Sequence, residues 1–150
     1  MKHTFHGVFS LLLFVVAIAV ALIALWQQSS WLGLFYLGTC ALSACGILYA
    51  YCVKCSVRLD NCSHVFPGKL TRKFPRRKQG PYTVSDVAGT VLFLGLILLF
   101  PQYWLLKHAP ALILFWALVI AAVAEILVFV CPRCANSQCM MCPKGQMPEN

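Results

Sequence analysis

Seven of the nine cysteines lie in two groups, each directly after an apolar segment. The first group follows the second apolar segment and contains Cys52, Cys55 and Cys62. The second group follows the fourth apolar segment and contains Cys131, Cys134, Cys139 and Cys142. Thiols at C-x-x-C spacing are typical of zinc and iron–sulfur sites. With His64 there are eight candidate metal ligands, which is enough for two four-ligand sites.

Two pairings of these ligands are open. In the first, the two C-x-x-C pairs share one site, formed by Cys52, Cys55, Cys131 and Cys134. The other four candidates then form the second site: Cys62, His64, Cys139 and Cys142. In the alternative, each group forms its own local site. We favour the shared arrangement because only four residues separate Cys134 from Cys139, which is tight for two facing zinc-binding turns.

The cofactor is zinc or an iron–sulfur cluster, and the sequence does not decide between them. Closed zinc sites take four cysteines, or three cysteines and a histidine. Cys134, Cys139 and Cys142 have the C-x4-C-x2-C spacing of plant-type [2Fe–2S] ferredoxins, although the wider ferredoxin patterns are absent.

The composition predicts an all-α integral membrane protein. Hydrophobic residues make up 61% of the 150-residue chain, and no charged residue lies between Lys2 and Lys54. Backbone groups in hydrocarbon must pair internally, so such apolar stretches are expected to be helices. Each of four predicted spans is long enough to cross a bilayer. These spans form two hairpins within a single domain and cover residues 8–26, 31–51, 84–106 and 110–130.

The basic residues predict the orientation of these spans. Eleven of the twelve lysines and arginines lie on the side of the cysteine groups, and only Lys107 lies on the other side. The positive-inside rule therefore places both termini in the cytoplasm, together with the basic loop at 52–83 and the tail at 131–150. The membrane is then a plasma (inner) membrane, and its reducing cytoplasmic side disfavours disulfides between these cysteines.

A short internal similarity supports the shared metal site. The sequences YCVKCS and VCPRCA each follow a span that returns to the cytoplasm. Two parallel hairpins related by an axis along the membrane normal bring these motifs together. The linker from 56 to 83 contains several prolines and glycines, which predict irregular structure.

Residues at the helix ends allow local predictions. Thr83 or Ser85 is expected to cap the third span, with Asp86 favoured in its first turn by the helix dipole. Pro101 is expected to end or bend the third helix, and Pro110 suits the first turn of the fourth.

A few polar or thiol groups lie within or beside the spans. Glu125 is the only carboxylate well inside a span, and is a candidate site for a proton, a cation or a quinone head group. Cys40 and Cys45 in the second span suit helix packing, with a thiol path toward the cytoplasm as the alternative. The remaining histidines are expected at the membrane boundaries: His3, His6 and His108.

These features predict a small membrane subunit with a cytoplasmic cysteine-ligated metal site, serving electron transfer or assembly in a larger complex. Its expected partners are the lipid bilayer and other membrane or cytoplasmic subunits. The alternatives are a soft-metal transporter or sensor, and a membrane thiol oxidoreductase. Few polar groups lie outside the cysteine face, so a stand-alone enzyme is not expected. The basic run KLTRKFPRRK adjoins a predicted span, so nucleic acid is not an expected partner.

Overall fold

The computed structural model describes residues 2–55, 65–75, 77, 82–134 and 136. Throughout these residues the regular structure is helical, without strands. Its α-helices are α1 (Lys2–Gln28), α2 (Ser30–Ile47), α3 (Val65–Leu70), α4 (Val84–Leu99), α5 (Gln102–Leu105) and α6 (Ala109–Glu125). One π turn, Leu48–Cys52, extends α2, and a second, Ile126–Val130, extends α6.

Four of the resulting helical stretches are long and apolar enough to cross a membrane. They cover Phe5–Gln28, Ser30–Cys52, Val84–Leu105 and Ala109–Val130. All four predicted spans are therefore confirmed as helices, with each boundary within three residues of its predicted position.

Small residues on α1 allow the helices to pack closely. The helix α1 packs against α6 and α2, and α2 packs in turn against α4. Ala17, Ala21 and Ala24 lie on one face of α1 and are almost completely buried in the core. This spacing of three to four residues forms a smooth stripe that lets neighbouring backbones approach.

The outer surfaces of the four long helices remain apolar. Leu42 on α2 is 74% exposed, Val91 on α4 is 61% exposed and Ile113 on α6 is 69% exposed. Water-soluble domains rarely leave so much contiguous apolar surface uncovered. Together with the helix lengths, this exterior indicates a membrane protein.

Gly46 lies at a tight contact between α2 and α4. A β-carbon at this position would overlap the ring of Phe93. The absence of a side chain therefore allows the ring to lie against the backbone of α2. Small residues commonly permit such close packing between membrane-spanning helices.

Pro101 interrupts the third span, as predicted, by separating α4 from α5. Proline has no backbone N–H, so the carbonyl of Ile97 one turn earlier loses its usual helical donor. The fully buried Tyr36 of α2 replaces that donor, with its hydroxyl 3.0 Å from the Ile97 oxygen. The break in the helix is therefore compensated by a neighbouring helix.

Gln102 satisfies a second carbonyl at the same break. Its Nε2 atom donates to the oxygen of Leu98 at 2.5 Å, and its Oε1 atom accepts from the indole of Trp116 at 3.1 Å. This side chain therefore links the end of α4 to α6 without leaving its own amide unpaired.

The linker between the second and third spans contains more helix than predicted. The helix α3 is followed directly by a 3₁₀ turn at Thr71–Lys73. Pro67 occupies the first turn of α3, where its missing N–H costs no helical bond. The segment packs against α1 and the first π turn, and Thr71 is 1% exposed. Tertiary packing therefore stabilises helix where glycine and proline predicted irregular structure.

Candidate functional site

Both C-x-x-C motifs are built on the same local structure. The first motif begins on the last residue of a π turn and the second begins directly after one; in this rare conformation each backbone hydrogen bond spans five residues instead of four. In the first motif the N–H of Cys55 donates to the oxygen of Cys52 at 3.2 Å. In the second motif the N–H of Cys134 donates to the oxygen of Cys131 at 3.1 Å. The similarity in sequence therefore extends to the backbone.

The two motifs differ in how they join their π turns. The N–H of Val53, one residue after Cys52, closes the first π turn on the oxygen of Leu48. In the second motif, the N–H of Cys131 itself closes the turn on the oxygen of Ile126. Cys131 is buried as a result, at 7% exposure, whereas Cys52 is half-buried.

Asn136 connects the tail beyond the second motif to the first motif. Its Nδ2 atom lies 3.4 Å from the Sγ atom of Cys55 and 3.4 Å from the hydroxyl of Tyr82. The Asn136 side chain is only 5% exposed. The start of the tail beyond the second motif therefore lies beside Cys55 of the first motif.

A pair of tyrosines supports this contact. The rings of Tyr51 and Tyr82 are stacked, with their centroids 4.3 Å apart. The hydroxyl of Tyr82 donates to the backbone oxygen of Tyr51 at 3.4 Å. Because Tyr51 immediately precedes Cys52, the stack connects the start of the first motif to the residue that contacts Asn136.

Asp86 holds the first motif through two cations. Lys54, which lies between Cys52 and Cys55, places its Nζ atom 2.6 Å from Oδ2 of Asp86. The guanidinium of Arg77 lies 2.9 Å from the other carboxylate oxygen. Asp86 is 3% exposed and Lys54 is 10% exposed, so this ion pair is largely shielded from solvent.

The same carboxylate caps the helix α4. The backbone N–H and the hydroxyl of Thr83 both donate to Oδ2 of Asp86, at 3.0 and 2.7 Å. The prediction of a cap at Thr83 with Asp86 in the first turn is therefore confirmed. A single carboxylate fixes both the start of the third span and the turn that carries Cys52 and Cys55.

Arg77 also contacts the first π turn. Its NH1 atom approaches the oxygens of Tyr49 and Ala50 at 3.4 and 3.5 Å. Its guanidinium lies 5.1 Å from the centroid of the Tyr49 ring. The arginine therefore supplies donors to carbonyls at the end of the second span.

The structure describes four of the eight predicted metal ligands, which are Cys52, Cys55, Cys131 and Cys134. The other four lie outside the described residues: Cys62, His64, Cys139 and Cys142. Within the described part of the chain, no three or more His, Cys, Asp or Glu side chains are grouped closely enough to hold a metal ion. The structure therefore does not bring three or more of Cys52, Cys55, Cys131 and Cys134 within reach of one metal ion, and both ligand sets remain predictions.

Glu125 has a specific partner in the bundle. Its Oε2 atom lies 3.0 Å from Nδ1 of His6, near the start of α1. The imidazole also stacks on the ring of Phe129, with the centroids 4.6 Å apart. Both side chains are partly exposed. This contact joins α1 to the last span, and it accounts for a carboxylate that the sequence left without a partner.

The two cysteines of α2 have different surroundings. Cys40 is 8% exposed and belongs to the apolar core, so its predicted packing role is confirmed. Cys45 is exposed.

The opposite end of the bundle carries an open groove of about 330 Å³ between α1 and α6. Gln27 and His108 contribute polar groups to a lining that is otherwise apolar. No cysteine lines this groove, so it is separate from the two C-x-x-C motifs.

Comparison of the chain with protein-family models, curated proteins and solved structures finds no match. Similarity to another protein therefore supplies no substrate, cofactor or partner. The cysteine end and its polar contacts are the basis for the proposal that follows.

Proposed function

We propose that this chain is an integral membrane subunit that binds a soft metal through cysteine thiolates at one end of a four-helix bundle. The metal centre is a zinc ion or an iron–sulfur cluster. The contact from Asn136 to Cys55 carries the proposal, because it joins the tail of the second C-x-x-C motif to the first motif.

Helix length and surface chemistry support the membrane location. Four helices have the length and hydropathy to cross a bilayer, and their outward side chains are apolar. In the sequence, eleven of the twelve lysines and arginines fall in the segments that carry or adjoin the cysteine groups or in the N-terminal segment, and only Lys107 falls between the third and fourth spans. By the positive-inside rule, we assign the cysteines and both termini to the cytoplasmic side of a plasma (inner) membrane.

The chemistry around Cys55 supports a thiolate ligand. A side-chain amide donates toward its sulfur, and hydrogen bonds to sulfur stabilise negative charge on a thiolate. Lys54 is fixed by Asp86, which restrains the turn between Cys52 and Cys55. Restrained ligands and outer donors are typical of metal centres.

In the loaded protein, Cys52, Cys55, Cys131 and Cys134 bind one metal across the two motifs. The second centre uses the remaining candidates, Cys62, His64, Cys139 and Cys142. An iron–sulfur cluster here would supply electron transfer between a soluble partner and a membrane carrier. Zinc here would fasten the loop and the tail into a docking platform for other subunits.

Two contacts favour this subunit over a soft-metal transporter. A transport path needs accessible ligands through the bundle, but Cys40 packs within the apolar core. The Glu125 carboxylate contacts His6, whereas a transport path would need this carboxylate to bind the metal ion.

The decisive experiment measures metal and acid-labile sulfide, with a visible spectrum, on detergent-purified protein prepared without oxygen. About two zinc ions per chain without sulfide support the docking platform. Iron with equal sulfide and visible absorbance supports electron transfer. Protein without either metal overturns the proposal and favours thiol redox chemistry.

Paired variants locate the metal within the chain. Cys55→Ser removes a proposed ligand and is expected to abolish binding at one of the two centres. Cys45→Ser is the matched control, since Cys45 is an exposed cysteine in the helical span that precedes Cys55. Equal metal content in the two variants would contradict the assignment of Cys55.

A further inference from the structure

Three cations project from the short helical segment that follows the first cysteine motif. Lys69 lies in the last turn of α3, while Arg72 and Lys73 lie in the 3₁₀ turn after it. All three side chains are exposed. They lie within five consecutive positions, so the segment presents a compact cluster of positive charge.

The segment is held against the end of the second span. Thr71, in the middle of the cluster, is 1% exposed. The ring of Phe74 lies 6.5 Å from that of Tyr49, and the guanidinium of Arg77 lies 5.1 Å from the centroid of the same tyrosine ring. Tyr49 belongs to the π turn that completes the span. The cations are therefore held at the depth where the apolar helix ends.

The charge of this cluster is not balanced within the described structure. Of the four acidic residues in the chain, Asp86 pairs with Lys54 and Arg77, and Glu125 pairs with His6. The other two, Asp60 and Glu149, lie outside the described residues. Among the residues described, no ion pair joins Lys69, Arg72 or Lys73 to a carboxylate.

We propose that Lys69, Arg72 and Lys73 form a binding site for the phosphate headgroup of an anionic phospholipid. The depth of the cluster matches the headgroup layer, where anionic lipid attracts basic residues beside a membrane span. Phe74 adds an aromatic ring at the same level, a position that such rings prefer in membrane proteins. This proposal rests on the membrane insertion proposed above and is independent of the metal centre.

Native mass spectrometry of the full chain, released from detergent, tests the site directly. Dioleoyl phosphatidylglycerol and dioleoyl phosphatidylcholine are titrated separately, and the bound fractions give the preference for the anionic lipid. Lys69→Gln is expected to lower this preference about fivefold, and the triple change Lys69→Gln, Arg72→Gln, Lys73→Gln about a hundredfold. The preference of the natural chain is expected to weaken with added salt.

Two controls separate the site from general charge. Lys107→Gln removes one cation from the opposite end, where its Nζ atom lies 4.7 Å from the Tyr103 ring, and is expected to leave the preference unchanged. The double change Lys69→Arg, Lys73→Arg keeps the charge and is expected to keep the preference. Circular dichroism confirms that each variant retains its helices.

Several outcomes overturn the proposal. One is that the triple variant keeps its preference for phosphatidylglycerol. Another is that Lys107→Gln lowers this preference as much as Lys69→Gln does. Displacement of the lipid by millimolar inorganic phosphate assigns the cluster to free phosphate, and displacement by polyglutamate assigns it to an acidic protein. Carbonate extraction of membranes tests insertion separately, so failure of the lipid site is distinguishable from failure of the membrane assignment.

Discussion

The two ends of the bundle both contain polar side chains, but these side chains have different tasks. At the Pro101 end, Tyr36 and Gln102 donate to carbonyls that a helix break exposes. At the cysteine end, Asp86 restrains charged groups around a C-x-x-C turn and Asn136 approaches a sulfur. Polar side chains that donate hydrogen bonds to unpaired backbone carbonyls have a structural role. Polar groups arranged around thiols point to a ligand, so the two ends can be separated by experiment.

The largest effect on stability is expected from Asp86→Asn. The change leaves Lys54 and Arg77 without their carboxylate at a shielded position, and weakens the cap of α4. We expect the free energy of unfolding to fall by about 3 kcal/mol. Unfolding of detergent-purified protein with sodium dodecyl sulfate, followed by circular dichroism, measures this change.

Ser85→Ala is the matched control for Asp86→Asn. Ser85 is an exposed neighbour in the same first turn, and its hydroxyl lies 2.9 Å from the hydroxyl of Thr83. We expect its loss to change stability by less than about 0.5 kcal/mol. Similar losses in the two variants would contradict a stabilising role for the ion pairs of Asp86 with Lys54 and Arg77.

A smaller effect, confined to metal affinity, is expected from Asn136→Ala. This change removes the donor to the Cys55 sulfur, and loss of an outer contact of this kind is expected to weaken metal binding about tenfold. Competition with a coloured chelator measures the affinity. Tyr82→Phe removes the other partner of the same amide and is expected to leave the affinity close to its original value.

The smallest effect is expected from Tyr36→Phe at the opposite end. Without the hydroxyl, the oxygen of Ile97 loses its donor in an apolar environment. We expect a loss of about 1 kcal/mol in unfolding free energy, measured as for Asp86→Asn, with metal affinity unchanged. A fall in metal affinity equal to that of Asn136→Ala would remove the distinction between the two ends.

Local features of the fold were predictable from the sequence. The four helices follow from apolar length, and the break at Pro101 follows from a missing N–H. The cap formed by Thr83 and Asp86 depends on residues three positions apart. In each case the determining residues are neighbours in the chain.

Contacts across the fold were not predictable in the same way. His6 and Glu125 are 119 positions apart, and Cys55 and Asn136 are 81 positions apart. Neither pair forms a recognisable motif, so only the packing of the helices brings its members together. The second role of Asp86, as the partner of two cations, was missed for the same reason. The metal ligands were proposed from spacing alone and remain predictions.

The two π turns have a geometric consequence for the thiols that follow them. One residue of an α-helix corresponds to a rotation of about 100° around the helix axis. Each turn carries one residue beyond the α-helical count, immediately before or including the first cysteine of its motif. Deleting one residue from either turn would restore a regular helix and swing that motif through more than a quarter of a circle. The two π turns therefore determine the direction, around the helix axis, in which each pair of thiols faces.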